Sequence, residues 1–241
     1  MWKRLTMDVP KWSNYNTDFE DSLRLAAPKV CREVSLKVLV LGDMMVGKTS
    51  LVQRYVKNAF KHHYKGTIGV DFTIKSIQWS EELTIKVQFW DIAGTERFNA
   101  LTRAYYKNAN GSLVLFDLGD ENSFSSVVKW KEDLDSKCRL PDGSCIPCLL
   151  LANKCDLPTW AVWKDKIEAA TSRNGFVSWR EVSAKDNIGV DEALRYLIEQ
   201  MLLQSRVQHE GSLRLDEVRL ELQDLALDKD QDKSLEKFRC C

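Results

Sequence analysis

A chain of 241 residues, 44% hydrophobic and 29% charged, has the material for one α/β domain with a full core and tails. Its 35 basic residues are matched by 35 acidic ones, so no whole-chain field draws it to nucleic acid or to a membrane surface, and binding has to come from local sites. No apolar run approaches the roughly 20 residues needed to span a bilayer, residues 1–10 lack the apolar core of a signal peptide, and seven cysteines at uneven spacing argue against a disulfide framework, so the body is expected in the cytosol.

Residues 1–33 show no sustained periodicity and scatter Trp2, Trp12, Tyr15 and Phe19 among polar residues. That predicts a disordered extension ahead of a domain over 34–205, with a flexible tail over 206–241. The short apolar, β-branched run 35–41 stops at Gly42 and predicts a buried strand entering a turn, with a helix over 49–57 after it. Runs 71–79 and 83–90, separated by Ser80, Glu81 and Glu82, predict an antiparallel hairpin. Strands near 112–117, 147–152 and 176–181 then alternate with helices near 122–137, 161–173 and 190–203. Such alternation predicts right-handed crossovers and an α/β fold, a six-stranded, mostly parallel sheet with helices on both faces. Its ligands are expected beyond the carboxyl ends of the strands. Cys145 and Cys148 form a CxxC pair, but zinc needs two further ligands at suitable spacing, so the pair reads as strand-edge thiols.

Gly42-Asp43-Met44-Met45-Val46-Gly47-Lys48-Thr49, with Ser50 behind it, fits G-x-x-x-x-G-K-[ST] between a strand and a helix, the context of a phosphate-binding P-loop. Backbone N–H groups and the helix N-terminus favour phosphate anions, Lys48 reaches the β and γ oxygens, and the Thr49 hydroxyl is a Mg²⁺ ligand. Asp91-Ile-Ala-Gly94 ends a strand: Asp91 can hold Mg²⁺ through water, and the Gly94 N–H can meet a γ-phosphate. Thr67 offers a second hydroxyl to the metal. Loss of the γ-phosphate would release both loops. The base is chosen by Asn153-Lys154-Cys155-Asp156 at the end of an apolar strand. The Asp156 carboxylate can accept from the N1–H and 2-amino edge of guanine, where adenine offers no matching pair of donors. Asn153 would brace the loop, Lys154 would lie along the base, and Ser183-Ala184-Lys185 would close the pocket. Phe60 has two readings, a ring stacked on guanine or a helix-end core residue. The guanine box disfavours a P-loop kinase or ATPase.

These boxes stand in the order found in Ras-like small GTPases, and the chain resembles that P-loop NTPase (small GTPase) fold over about residues 35–203. Ile68-Gly-Val-Asp-Phe72, Lys86-Val-Gln-Phe-Trp-Asp91, Ala93-Gly-Thr-Glu-Arg-Phe98 and Tyr105-Tyr-Lys-Asn-Ala109 resemble the Rab branch. Trp130-Lys-Glu-Asp-Leu-Asp-Ser-Lys137, Leu140-Pro-Asp-Gly143 and Leu149-Leu-Leu-Ala-Asn-Lys-Cys-Asp156 look like Rabs of lysosomes, lysosome-related organelles and the trans-Golgi. The resemblance implies GTP and GDP as ligands with Mg²⁺, and a switch regulating vesicle traffic on the cytoplasmic face of lysosome-related, endosomal or trans-Golgi membranes, with a cytosolic pool. It also implies an exchange factor, a GTPase-activating protein, a GDP-dissociation inhibitor, a Rab escort protein and effectors as partners, and no nucleic acid. Effectors would meet Ile68 and the triad Phe72, Trp90 and Tyr105, whose other reading is plain core packing.

The family places glutamine, which orients the attacking water, where this chain has Thr95. The P-loop positions beside the γ-phosphate, usually small, are Met44 and Met45. Both departures from the catalytic set predict slow intrinsic hydrolysis with binding retained, and in the limit a constitutively GTP-bound interaction module. The chain ends in Cys240-Cys241, a pair that the resemblance implies is geranylgeranylated, and two lipids give stable attachment. The preceding linker mixes Asp228, Asp230, Asp232 and Glu236 with Lys229, Lys233 and Lys237, so it is no polybasic patch. Leu215, Val218, Leu222 and Leu225 would line one face of a helix, either a transient tether or a partner-binding segment.

Overall fold

In the strand Arg32–Leu41 (β1), Leu36, Val38 and Val40 are buried in one hydrophobic cluster, and Leu39 and Leu41 in another. That period of two belongs to a strand covered on both faces. Gly111–Asp117 (β4) and Cys148–Asn153 (β5) follow the same rule. Leu113, Leu115, Leu149 and Leu151 join the first cluster, and Val114, Phe116, Leu150 and Ala152 the second. The computed structural model describes residues 32–62, 66–96 and 102–209, with side chains to 204. The extension before Arg32, the 215–225 repeat and Cys240–Cys241 lie outside them.

Val70–Ser80 (β2) and Leu83–Ile92 (β3) pair antiparallel around a turn at Glu81 and Glu82, with a register shift between Gln78 and Ser80. With Ser178–Val182 (β6) the sheet has six strands in the order β2-β3-β1-β4-β5-β6, every pair parallel except the hairpin. The predicted hairpin and parallel sheet are therefore present. Lys48–Lys57 (α1) and Val190–His209 (α6) cover the first cluster through Leu51, Val52, Tyr55, Leu194, Leu197 and Ile198. Val127–Lys137 (α4) and Lys164–Arg173 (α5) cover the second through Val127, Trp130, Leu134 and Ile167.

Element ends differ from the sequence reading in ways the local bonds explain. β1 takes in Arg32 and Glu33, which pair with Leu83 and Thr84, and α6 continues beyond 203. Thr102–Tyr106 (α2) is too short for a periodic signal. The helix expected over 122–137 divides into Glu121–Ser125 (α3) and α4 at Ser126. Ser123 turns inward there, its hydroxyl accepting from the Asp117 N–H at 3.0 Å and donating to the Asp120 carbonyl at 2.8 Å. The helix expected from 161 starts at Lys164 because the Ala161 N–H is held by the Leu118 carbonyl at 2.8 Å, Val162 is buried and Trp163 is extended. Cys148 is sealed into β5, where burial pushes its thiol up to about 12, and Cys145 is half-buried. Among the described residues no helix is long and apolar enough to cross a membrane.

Candidate functional site

β1 delivers the P-loop and α1 takes the chain away, so Lys48 starts inside the domain. Lys48 is 6% exposed, and its ammonium donates to the Gly42 and Asp43 carbonyls at 2.8 and 2.7 Å. Gly47 sits at φ 98, and a Cβ there would stand 2.3 Å from Asn153 Nδ2, so only glycine fits. That same amide donates to the Val46 carbonyl at 2.7 Å, while Asn153 Oδ1 accepts from the Ala184 N–H at 3.3 Å. Asn153 thus braces the phosphate loop against the loop after β6.

Burial depresses Lys48 to about 8, against partial opposition from Asp91 and Asp43. The unfolded chain holds this proton up to about 10.5, so between those values the nucleotide-free fold gains stability as pH rises. Phosphate oxygens placed beside Lys48 would restore the charge. Near pH 9, GDP binding is therefore expected to take up about one proton, with none from this group near pH 6.5. Calorimetry in buffers of different ionisation enthalpy measures the uptake, and a buffer-independent heat near pH 9 would contradict it.

Thr49, Thr67 and Asp91, separated in sequence, meet in one corner. The Thr49 and Thr67 hydroxyls lie 2.9 Å apart, Thr49 also donates to Asp91 Oδ2, and Thr67 reaches that oxygen at 3.4 Å. Burial raises the Asp91 carboxyl above its ordinary range, opposed by these hydroxyls and by Lys48, and its Oδ1 is buried without a hydrogen-bond partner. A buried carboxylate oxygen with nothing to bond, beside two hydroxyls, fits a small hard cation with oxygen ligands. Mg²⁺ would be held by Thr49 and Thr67 and by Asp91 through water, and would neutralise phosphate charge there.

At the base side, Asp156 accepts from the Ser183 hydroxyl at 2.7 Å and from the Lys185 ammonium at 3.3 Å. Burial opposes its ionisation, but bonds from Ser183, its own backbone N–H and Lys185 hold the carboxyl below the usual range. Lys154, at φ 65, sends its ammonium to Asp117 Oδ2 at 2.6 Å. Phe60 meets His62 edge-on, ring centroids 5.3 Å apart.

The two switch segments already touch. The Ala93 N–H bonds the Gly69 carbonyl at 2.9 Å, and a Cβ on Gly94 would lie 2.3 Å from the Met44 nitrogen. Gly94 is required by this close approach of loop to loop. Thr95 is exposed beside that contact, as are Met44 and Met45 at 60% and 65%. Ile68 is 94% exposed. Phe72 is half exposed and packs edge-on against Trp90 at 5.7 Å, with the Lys37 ammonium 3.6 Å from the Trp90 ring centre. Trp90 and Tyr105 both pack on the second core cluster, so each ring is partly core and partly surface.

Two positioning groups stand outside the phosphate, metal and base boxes. Trp130 on α4 donates from Nε1 to Asp43 Oδ1 at 2.7 Å, fixing the P-loop from behind. Arg54 on α1 donates to the Ala184 and Lys185 carbonyls. Only the inward face of each helix hints at them.

A phosphate loop, a hydroxyl–carboxylate corner and a guanine-reading box at one end of a six-stranded sheet define a P-loop domain that binds guanine nucleotide. The Ras family model matches residues 37–203, and the chain belongs to that family, in its Rab branch. It is 52% identical to Ras-related protein Rab-7L1 of Homo sapiens over 174 residues, 72% of this chain and 86% of that protein. It is 47% identical to Ras-related protein Rab-32 of Mus musculus over 201 residues, 81% and 87% of the two chains. With Ras-related protein Rab-32A of Dictyostelium discoideum it shares 46% over 173 residues, 70% and 79%. GTP and GDP with Mg²⁺ are the ligands of this family and of this chain.

Proposed function

We propose that this Rab-type switch is tethered to the cytoplasmic face of lysosome-related, endosomal or trans-Golgi membranes and recruits effectors while GTP-bound, spending most of its cycle in that state. The observation that supports the reading is the Gly94–Met44 approach, which brings Thr95 next to the exposed methionines; an attacking water ordered beside them would lack the usual amide and meet extra bulk. Nucleotide binding would use other groups, Lys48, Thr49, Asn153 and Asp156, whose hydrogen bonds hold them on the loops at one end of the sheet. The exposed Ile68 and Phe72, continuous with Trp90 and Tyr105, supply the effector surface, and geranylgeranyl groups on Cys240 and Cys241 supply the anchor. The organelle assignment rests on the resemblance of residues 130–137, 140–143 and 149–156 to Rabs of those membranes. An exchange factor, a GTPase-activating protein, a GDP-dissociation inhibitor and an escort protein are the expected regulators.

The test is the nucleotide that accompanies the full chain when it is purified rapidly from cells. GTP is expected to make up most of it. A bound pool that is almost all GDP would refute the biased switch while leaving the Rab assignment standing.

A further inference from the structure

The Arg54 guanidinium spends its donors on two walls of the nucleotide site. Nε reaches the Ala184 carbonyl at 2.9 Å and Nη2 the Lys185 carbonyl at 2.8 Å. Nη1 reaches both the main-chain and the side-chain oxygen of Asn58, each at 3.2 Å. Asn58 is the left-handed cap of α1, at φ 49, from which the chain departs toward Phe60 and Thr67. One planar fork therefore ties the loop after β6 to the root of the first switch segment, a job its fixed donor geometry suits.

The connection continues to the base-reading carboxylate. The peptide whose carbonyl Arg54 holds, between Lys185 and Asp186, sends its N–H to Ser183 Oγ at 3.0 Å. That hydroxyl donates to Asp156 Oδ1 at 2.7 Å, and the Lys185 side chain approaches Asp156 Oδ2 at 3.3 Å. Both oxygens of Asp156 are thus aimed by groups on the loop that Arg54 clamps. The bonds from a charged donor are stronger than neutral ones, and the two loop carbonyls it holds belong to adjacent residues, so the loop cannot rotate without breaking both.

We infer that Arg54 is the positioning residue that keeps the guanine side of the site closed and so sets the rate of nucleotide release. It touches neither the phosphates nor the metal corner, and it acts through Asp156 and the Ser183–Lys185 loop.

The experiment is release of GDP carrying a fluorescent group on its ribose from the full chain in Mg²⁺, chased by excess unlabelled GDP, for the parent, Arg54→Met and Arg54→Lys. Arg54→Met keeps the stem and removes every donor, and release is expected to accelerate about tenfold. Arg54→Lys, a point donor without a fork, should fall between. The same series is run with labelled inosine diphosphate, which lacks the 2-amino group and so forgoes one bond to Asp156. If Arg54 works by aiming that carboxylate, the acceleration shrinks to about threefold or less with inosine. Parental release rates in both variants, or an equal acceleration with both bases, would overturn the proposal, since general loosening of the fold is blind to the base. Should Arg54→Met fail to fold, Arg54→Lys with the two bases decides by the same criteria.

Discussion

Asp156→Asn is expected to weaken GDP binding by about a thousandfold and to turn the site toward xanthosine diphosphate. The carboxylate offers acceptors only, which matches the two donors on the guanine edge. An amide of the same shape keeps one acceptor and points N–H at the other guanine donor, leaving both unsatisfied in a site closed by buried Ser183 and Ala184. Xanthine presents an oxygen where guanine has its amino group and so accepts from that amide. The fold should tolerate the change, because Ser183 Oγ can still donate to the remaining oxygen and Lys185 is exposed enough for water to replace its partner. Competition of each diphosphate against labelled GDP measures the change. An unchanged GDP affinity would place base recognition elsewhere.

Restoring the catalytic pattern is the second large effect. Single-turnover hydrolysis by GTP-loaded protein is expected to rise about tenfold or more in Thr95→Gln, because an amide spans the distance to an ordered water that a threonine hydroxyl does not. Met44→Ser alone should give less. The Gly94 backbone seats on the Met44 backbone with no room for a Cβ, so Met44 and Thr95 flank one contact and their effects should couple. The double substitution is expected to exceed the product of the singles, as neighbours that share a water usually depart from additivity. Equal rates in all four proteins would sink the idea that these positions limit hydrolysis.

The candidate site was legible in the sequence because the chemistry it suits calls for contiguous residues. Phosphate binding needs a run of backbone N–H groups before a helix, and base reading needs a carboxylate at the end of a strand. Thr67 and Asp91 could be placed with Thr49 because each has its own short motif. The supports were not legible. Trp130 lies 87 residues from Asp43, and Arg54 lies 130 residues from Ala184, and a single donor on an amphipathic helix leaves no pattern. The same physics explains the boundary errors. Hydrophobic periodicity marks the middle of an element, whereas Ala161 to Trp163 and Ser126 are settled by bonds to Leu118, Asn122 and Phe124. Phe72 and Trp90 could be read as core or as surface, and their partial exposure shows why neither reading alone sufficed.

The alternation of β1 between two clusters has a consequence for how the chain is proofread. Slipping β1 by one residue would send Val38 and Val40 to the face now holding Leu39 and Leu41, scrambling both cores. It would also shift Gly42 by about 3.3 Å along the strand, pulling Lys48 and Thr49 away from Asp91. A misregistered chain could therefore form hydrogen-bonded strands and still be unable to retain GDP. The ligand stabilises only the correctly threaded form, by mass action, so retained GDP separates the correctly threaded chain from a misregistered one.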